Sequence, residues 1–238
     1  MQQLLITGAN RGIGLEFTQQ YLAQGWHVYA TYRQQPGEAL AALACDQLTL
    51  LPLDVTEDDS IADLQEQLNG AELDLIINNS GVFGPKDQNL GTVSRQQWLE
   101  VLNVNSVAPL MLAQALHENL RAKGGTFAVL SSRMGSIEGN DGGALYLYRS
   151  SKAAVNQVVK SLSIDLKQFG INVVALHPGW VQTDMGGANA SINTHTSVNG
   201  LRQVITKIVP ANSGQFINYD GTAIAWQRVF RVTLIGQS

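Results

Sequence analysis

The chain has 238 residues, 45% of them hydrophobic and only 14% charged, and 15 Lys+Arg against 19 Asp+Glu give a formal net charge of −4. At this size about 70% of the unfolded surface is buried on folding, so the composition excludes a disordered chain, and the lack of a Lys/Arg run excludes a general nucleic-acid binder. The single cysteine, Cys45, excludes an intramolecular disulfide and a thiolate metal cluster, and reads as a buried, inert thiol.

In chain order, Leu4–Thr7 is a short strand and Gly12–Gln24 a helix. Met1–Thr7 runs straight into a glycine-rich turn without the basic and apolar regions of a secretory signal. No apolar run approaches the ~20 residues that cross a bilayer, so a cytoplasmic protein without a membrane partner is expected. His27–Tyr32 is a strand, Gly37–Ala44 a weak helix and Leu48–Leu53 a strand. Thr56–Leu68 is a helix with Thr56 at its N-cap and Asp58 and Asp59 in its first turn. Leu73–Asn78 is a strand, followed by a long helical pattern from Ser94 to Lys123. Thr126–Ser131 is a strand, Leu145–Phe169 a helix and Ile171–Leu176 a strand. A loop from His177 to about Thr196 leads to a helix over Val198–Val209 and a last strand at Gln215–Asn218. Strands and helices that alternate in this way predict one doubly wound α/β domain, its parallel sheet covered by helices on both faces. Ligands of such sheets sit beyond the carboxyl ends of the strands, where the strand order reverses.

The first strand runs into Thr7-Gly8-Ala9-Asn10-Arg11-Gly12-Ile13-Gly14 and directly into a helix. Glycines allow a tight turn and a close approach to phosphate, and the helix N-terminus adds free N–H groups. The spacing Gly-x-x-x-Gly-x-Gly differs from the usual dinucleotide pattern, and a plain structural turn is the alternative. The second strand ends Thr31-Tyr32-Arg33, with no carboxylate to hold the adenosine ribose of NAD. Arg33 and Arg11 can instead fork onto a 2′-phosphate, unless Arg33 is simply a solvated surface residue. Two arginines and a missing acid favour NADP(H) over NAD(H). Asp54 and Val55 follow the third strand, where Asp54 either accepts from the adenine amino group or forms a turn. Asn78-Asn79-Ser80-Gly81 closes the fourth strand, where the asparagines either brace the strands and cover the ribose or only close a turn.

Tyr148-Arg149-Ser150-Ser151-Lys152 opens a helical stretch, and positions four apart share a face. A phenol of ordinary pKa ~10 is poor at neutral acid–base work, and a nearby cation lowers that value. Tyr146 falls on another face. The fifth strand ends Leu130-Ser131-Ser132-Arg133-Met134-Gly135, so Ser132 can hold a carbonyl or developing alkoxide by hydrogen bond. Asn105 sits inside a long helix that suits it poorly; its side chain holds a water near Lys152 or only packs. The sixth strand ends His177-Pro178-Gly179-Trp180-Val181-Gln182-Thr183.

Thr7-Gly8-x-x-x-Gly12-x-Gly14, Asn78-Asn79-x-Gly81, Asn105, Ser132, Tyr148-x-x-x-Lys152 and Pro178-Gly179 occur in order over residues 1–226. Together they resemble the short-chain dehydrogenase/reductase superfamily. Ser131–Ile137, His177–Gly187 and the ending Gly214-Gln215-Phe216, Asp220-Gly221 and Trp226 resemble its C-factor and sniffer-like carbonyl reductase branch. The resemblance implies a Rossmann-type domain over residues 1–226 with a mainly parallel seven-stranded sheet. It implies Tyr148 as proton donor and acceptor, and Lys152 as the group that lowers its pKa and binds the nicotinamide ribose. It further implies Ser132 as carbonyl-orienting, Asn105 as support for a relay water, and Thr183 as a carboxamide contact. The implied dinucleotide site comprises Gly8, Asn10, Arg11, Gly12, Ile13, Gly14, Arg33, Asp54, Val55, Asn79, Ser80, Gly81, Tyr148, Lys152, Pro178, Gly179, Val181 and Thr183. Ser80 departs from the alanine usual in the family. The tail Gln227–Ser238 alternates over Val229–Ile235 like an edge strand and is either an oligomerisation arm or an accident of the reading frame.

Val82, Phe83, Met134, Ile137 and Leu145 are mostly apolar and suggest an apolar aldehyde or ketone as substrate, unless several are core residues. The loop stretch Gly186–Ser191 has the composition of a flexible lid. His27, His117, His177 and His195 lack metal-ligand spacing, and no metal is expected. The helix Leu145–Phe169 is apolar over much of its circumference, which predicts a second burial partner and a homodimer or homotetramer. NADPH-dependent carbonyl reduction is the leading expectation. NAD-linked alcohol oxidation, or a C-factor-like cell–cell signalling protein that binds nucleotide, are the alternatives.

Overall fold

A computed structural model of the chain describes residues 1–120 and 124–226. Seven strands form one parallel sheet: β1 (Gln3–Ile6), β2 (His27–Tyr32), β3 (Leu48–Pro52), β4 (Leu75–Asn78), β5 (Thr126–Leu130), β6 (Asn172–His177) and β7 (Phe216–Asn218). Their order is β3-β2-β1-β4-β5-β6-β7. The order reverses between β1 and β4, which pair Leu4 with Leu75 and Ile6 with Ile77, and a crevice opens beyond their carboxyl ends.

Side chains on a strand alternate between faces, and β1 divides accordingly. Leu5 joins a core layer under α3 (Asp58–Gln67), α5 (Ala108–Leu116) and α6 (Tyr146–Asp165), together with Ile76, Phe127 and Val173. Leu4 and Ile6 join the opposite layer under α1 (Gly12–Leu22) and α7 (Thr194–Ile205), together with Phe17, Val28 and Val174. The central strands β4, β5 and β6 are thus covered on both sides, whereas β2 and the edge strand β3 are only partly buried and carry His27, Tyr29, Thr31, Tyr32 and Thr49 among their apolar residues.

Several boundaries differ from the sequence expectation for local reasons. Thr56 does not cap α3: its hydroxyl and N–H both turn back to Asp54 Oδ1, at 2.7 and 3.0 Å, and Glu57 holds the cap position without a side-chain bond. The helix α7 begins at Thr194, earlier than expected, because Asn193 accepts the N–H of Thr196 at 2.8 Å. The weak helix α2 shrinks to Glu38–Ala41. Cys45 is exposed in the connection between α2 and β3, which corrects the expected burial.

The long helix before β5 is not continuous. It runs as α4 (Arg95–Leu102), a π turn over Asn103–Val107, α5, and a short 3₁₀ turn at His117–Asn119. By length and composition this 25-residue run is long and apolar enough to cross a membrane. It packs instead against α3 and α6 as a core helix. Its expected extension to Lys123 lies outside the described residues, as does the tail Gln227–Ser238.

Candidate active site

A cavity of about 780 Å³ fills the crevice at the reversal point. Its floor is the glycine loop. Gly8 and Gly12 adopt left-handed φ values of +67° and +56°, a region that side chains resist. Gly14 is required by space: a Cβ there would lie 2.2 Å from the Gly8 carbonyl oxygen and 2.6 Å from Asn79 Nδ2. Asn79 braces the loop by donating to the carbonyls of Thr7 and Gly8, while Thr7 Oγ1 accepts the N–H groups of Asn79 and Ser80. The loop ends at Arg11, which holds the N-cap of α1 without a side-chain bond. The first-turn N–H groups of that helix therefore face the cavity without a side-chain cap, a ready anion site.

Asn10 ties this loop to the chain leaving β2, accepting the N–H of Gly37 and donating to the Gln35 carbonyl. That tie brings exposed Arg33 to the cavity rim beside Tyr32, Asp54 and Val55. Among the described residues nothing engages the Arg33 side chain. Arg11, by contrast, forms an exposed ion pair with Asp184 across the mouth, a partner that no local pattern announces. Asp54 uses one oxygen in its turn with Thr56, so the turn-forming alternative holds for that oxygen.

At the inner end of the cavity stand Tyr148 and Lys152, both buried, on the first two turns of α6. Lys152 Nζ donates to the Leu130 carbonyl at 2.9 Å and lies 5.7 Å from the Tyr148 ring centre. Burial pushes the ammonium down to about 8. Burial also pushes the Tyr148 phenol above its ordinary value, and a hydrogen bond with Ser132 only partly offsets this. The direction of the Tyr148 shift is thus upward, set by desolvation, against the lowering expected from Lys152. Ser132 is itself the N-cap of the turn Arg133–Gly135, accepting the Met134 N–H at 3.2 Å. That turn lies against α6 because residue 135 is glycine: a Cβ would come within 2.6 Å of the Lys152 carbonyl carbon.

Asn105 lies in the π turn, not in the continuous helix expected around it. Its amide donates to the Val82 carbonyl and to Ser151 Oγ, and its oxygen accepts the Val82 N–H at 2.9 Å. An amide oxygen accepts twice, so one lone pair of that oxygen is left over among the described residues. His177 accepts the Arg133 N–H at Nδ1, and burial, reinforced by the Arg133 charge, pushes it down to about 4.

The short chain dehydrogenase family model matches residues 2–194. The chain belongs to that family. It is 42% identical over 155 residues to C-signal of Myxococcus xanthus, covering 65% of this chain and 93% of that one. The carbonyl reductase Sniffer of Drosophila melanogaster superposes with a TM-score of 0.85 at 36% identity, covering 95% of this chain and all of that one. An NADPH-bound carbonyl reductase from chicken fatty liver gives 0.85 at 35% identity, covering 95% and 99%.

Within this short-chain dehydrogenase, most of the expected dinucleotide residues line the one cavity, including Gly8, Gly12, Ile13, Ser80, Gly81, Pro178 and Thr183. Gly14, Gly179 and Val181 stand behind it. A Cβ on Gly179, at φ +84°, would meet Ile192 and Tyr219; buried Val181 pairs with Ile192. The Trp180–Ile192 loop is held by its own bonds: Gln182 N–H to the Ile192 carbonyl, Ile192 N–H to the Trp180 carbonyl, and Trp180 Nε1 to the Gly186 carbonyl. Its glycine-rich composition does not leave it untied. Of the expected substrate residues, Val82 lines the cavity, Phe83 packs 4.9 Å from the Tyr148 ring, and Ile137 is largely exposed. Tyr146 is turned outward.

Proposed function

We propose that the chain reduces an apolar aldehyde or ketone with NADPH, using Tyr148 as proton donor, with residues 1–226 as the catalytic unit in a cytoplasmic setting. The observation that carries this is the Tyr148–Lys152 pair, buried at one end of a cavity whose other end is the glycine loop and Arg33. The uncapped start of α1 and the left-handed glycines fit a pyrophosphate, and Arg33 fits a 2′-phosphate. The NADPH in the chicken fatty liver carbonyl reductase is consistent with this choice.

When bound, the nicotinamide supplies the hydride. Ser132 donates a hydrogen bond to the substrate oxygen, Tyr148 gives it a proton, and the Lys152 ammonium steadies the phenolate left behind. A phenol whose pKa burial raises stays protonated at neutral pH, the form that reduction needs. Alcohol oxidation would need the phenolate from the outset. Phe83 and Val82 give the carbonyl's substituent an apolar wall. Asn105 holds Ser151 and, through its remaining lone pair, the relay water; Thr183 meets the carboxamide.

Titration of intrinsic fluorescence with NADPH and with NADH tests the cofactor assignment. NADPH is expected to bind at least tenfold more tightly. Arg33→Ala should weaken NADPH about tenfold, the worth of one charge-assisted hydrogen bond, and leave NADH unchanged. Equal affinities, or tighter NADH binding, would return alcohol oxidation to first place. Binding of neither would favour the signalling reading that the C-signal likeness suggests.

The same reading includes a second copy of the chain. The α4–α5 run lies beside α6, with Trp98 Nε1 donating to Ser150 Oγ at one end and His117 against Phe169 at the other. Leu99, Val107 and Ile164 on this run and α6, and Phe169 on the 3₁₀ turn that follows α6, remain exposed, apolar side chains suited to a self-complementary two-fold contact. Light scattering is expected to give the mass of two or four chains, and a monomer would overturn it.

A further inference from the structure

The helix that carries Tyr148 starts without a local cap. Leu145 occupies its N-cap at φ +51° and has no side-chain oxygen to offer, and Gly143 and Ala144 before it are also left-handed. The orphan N–H groups of the first turn must then find partners elsewhere. Two of them, those of Tyr146 and Tyr148, find theirs on Gln88, far away in sequence. Its side-chain oxygen accepts the Tyr148 N–H at 2.9 Å, and its backbone carbonyl accepts the Tyr146 N–H at 3.4 Å.

The other end of the same amide faces the loop leaving β4. Gln88 Nε2 donates to the carbonyls of Phe83 and Pro85, each at 2.8 Å. Both amide hydrogens are used, which fixes the orientation of the group. Gly84 lets the loop close around it: at φ +86° its hypothetical Cβ would meet Val101 at 2.8 Å and Gln88 Nε2 at 3.6 Å. Gln88 is 1% exposed and does not line the cofactor cavity. The ring of Phe83, the residue whose backbone carbonyl this amide holds, lies 4.9 Å from the Tyr148 ring.

We propose that Gln88 is a positioning residue for proton donation, one buried amide that fixes both the backbone of Tyr148 and the Phe83 wall beside its phenol. This rests on Tyr148 being the proton donor. An ordinary helix cap stabilises a helix; this one also sets the distance between the donor and the wall that the substrate meets. Misplacement by an ångström costs reaction rate far more than binding.

The test is Gln88→Met, which keeps length and volume and removes every hydrogen bond of the side chain. Activity is read on whichever member of a panel of aromatic aldehydes and ketones the unmodified protein reduces fastest. The expected result is a kcat at least tenfold lower with an NADPH Kd within twofold. In a Tyr148→Phe background the same change should cost nothing further, because its effect passes through the phenol. A smaller loss of kcat, a loss matched by weakened NADPH binding, or a full additional loss in the double variant would overturn the proposal. If Gln88→Met does not fold, Gln88→Glu carries the same criteria, since it keeps the acceptor for the Tyr148 N–H and loses the donors to the loop. If Tyr148→Phe alone is active, the functional reading itself fails; if it is inactive while Gln88→Met is fully active, only the positioning role fails.

Discussion

Tyr148→Phe should lower kcat by about 10²–10⁴-fold, the range that a positioned general acid contributes, while NADPH binds within twofold of the unmodified protein. The ring keeps its contact with Phe83, so the wall of the site survives and only the hydroxyl is lost. Stability should change by about 1 kcal/mol, since one hydrogen bond with Ser132 disappears. Steady-state rates at saturating NADPH, paired with a fluorescence titration of cofactor, separate the two effects. A variant that keeps a tenth or more of the activity would remove Tyr148 from proton transfer.

Gly14→Ala should damage the fold and the cofactor cradle together. The new methyl would sit 2.2 Å from the Gly8 oxygen and 2.6 Å from Asn79 Nδ2, and neither group is free to retreat. The Gly8 carbonyl belongs to the loop, and Asn79 is already bonded to the carbonyls of Thr7 and Gly8. Overpacking of this kind costs about 2–3 kcal/mol, or roughly 4–12 °C in Tm for a chain of this length. NADPH affinity should fall at least tenfold, because the displaced loop carries the N–H groups offered to phosphate. Gly142→Ala is the matched control: a Cβ there meets nothing within 4 Å, and both melting temperature and affinity should stay at the unmodified values. A Gly14→Ala protein that melts and binds like the control would show that the loop can yield.

What is legible in the sequence is what depends on near neighbours. The central strands are short apolar runs because both faces of the sheet are covered there, and Tyr148 and Lys152 share a face because they are four apart on a helix. Asn105 is legible as a residue that suits a helix interior poorly, but the π turn that holds it is not, since the helical period runs on through it. The start of α7 and the cap of α3 are not legible, since Asn193 and Thr56 are equally good local partners and only the fold decides which bond forms. The exposure of Cys45 is decided by where its connection lies, and an isolated thiol carries no periodicity. Asp184 and Gln88 are invisible for a stronger reason: their partners Arg11 and Tyr148 are far away in the chain.

The π turn at Asn103–Val107 works as a phase shifter. One residue more per turn rotates everything downstream by about 100° relative to an unbroken helix. The segment before and within the turn is indexed to α6, where Asn105 and Ser106 bond to Ser151. The segment after it is indexed to the sheet, where Leu112 and Leu116 are fully buried. A regular helix over the same residues could satisfy only one of these two registers. The catalytic side and the core side of this helix can therefore each keep their own alignment, and a one-residue deletion in the turn would set them against each other.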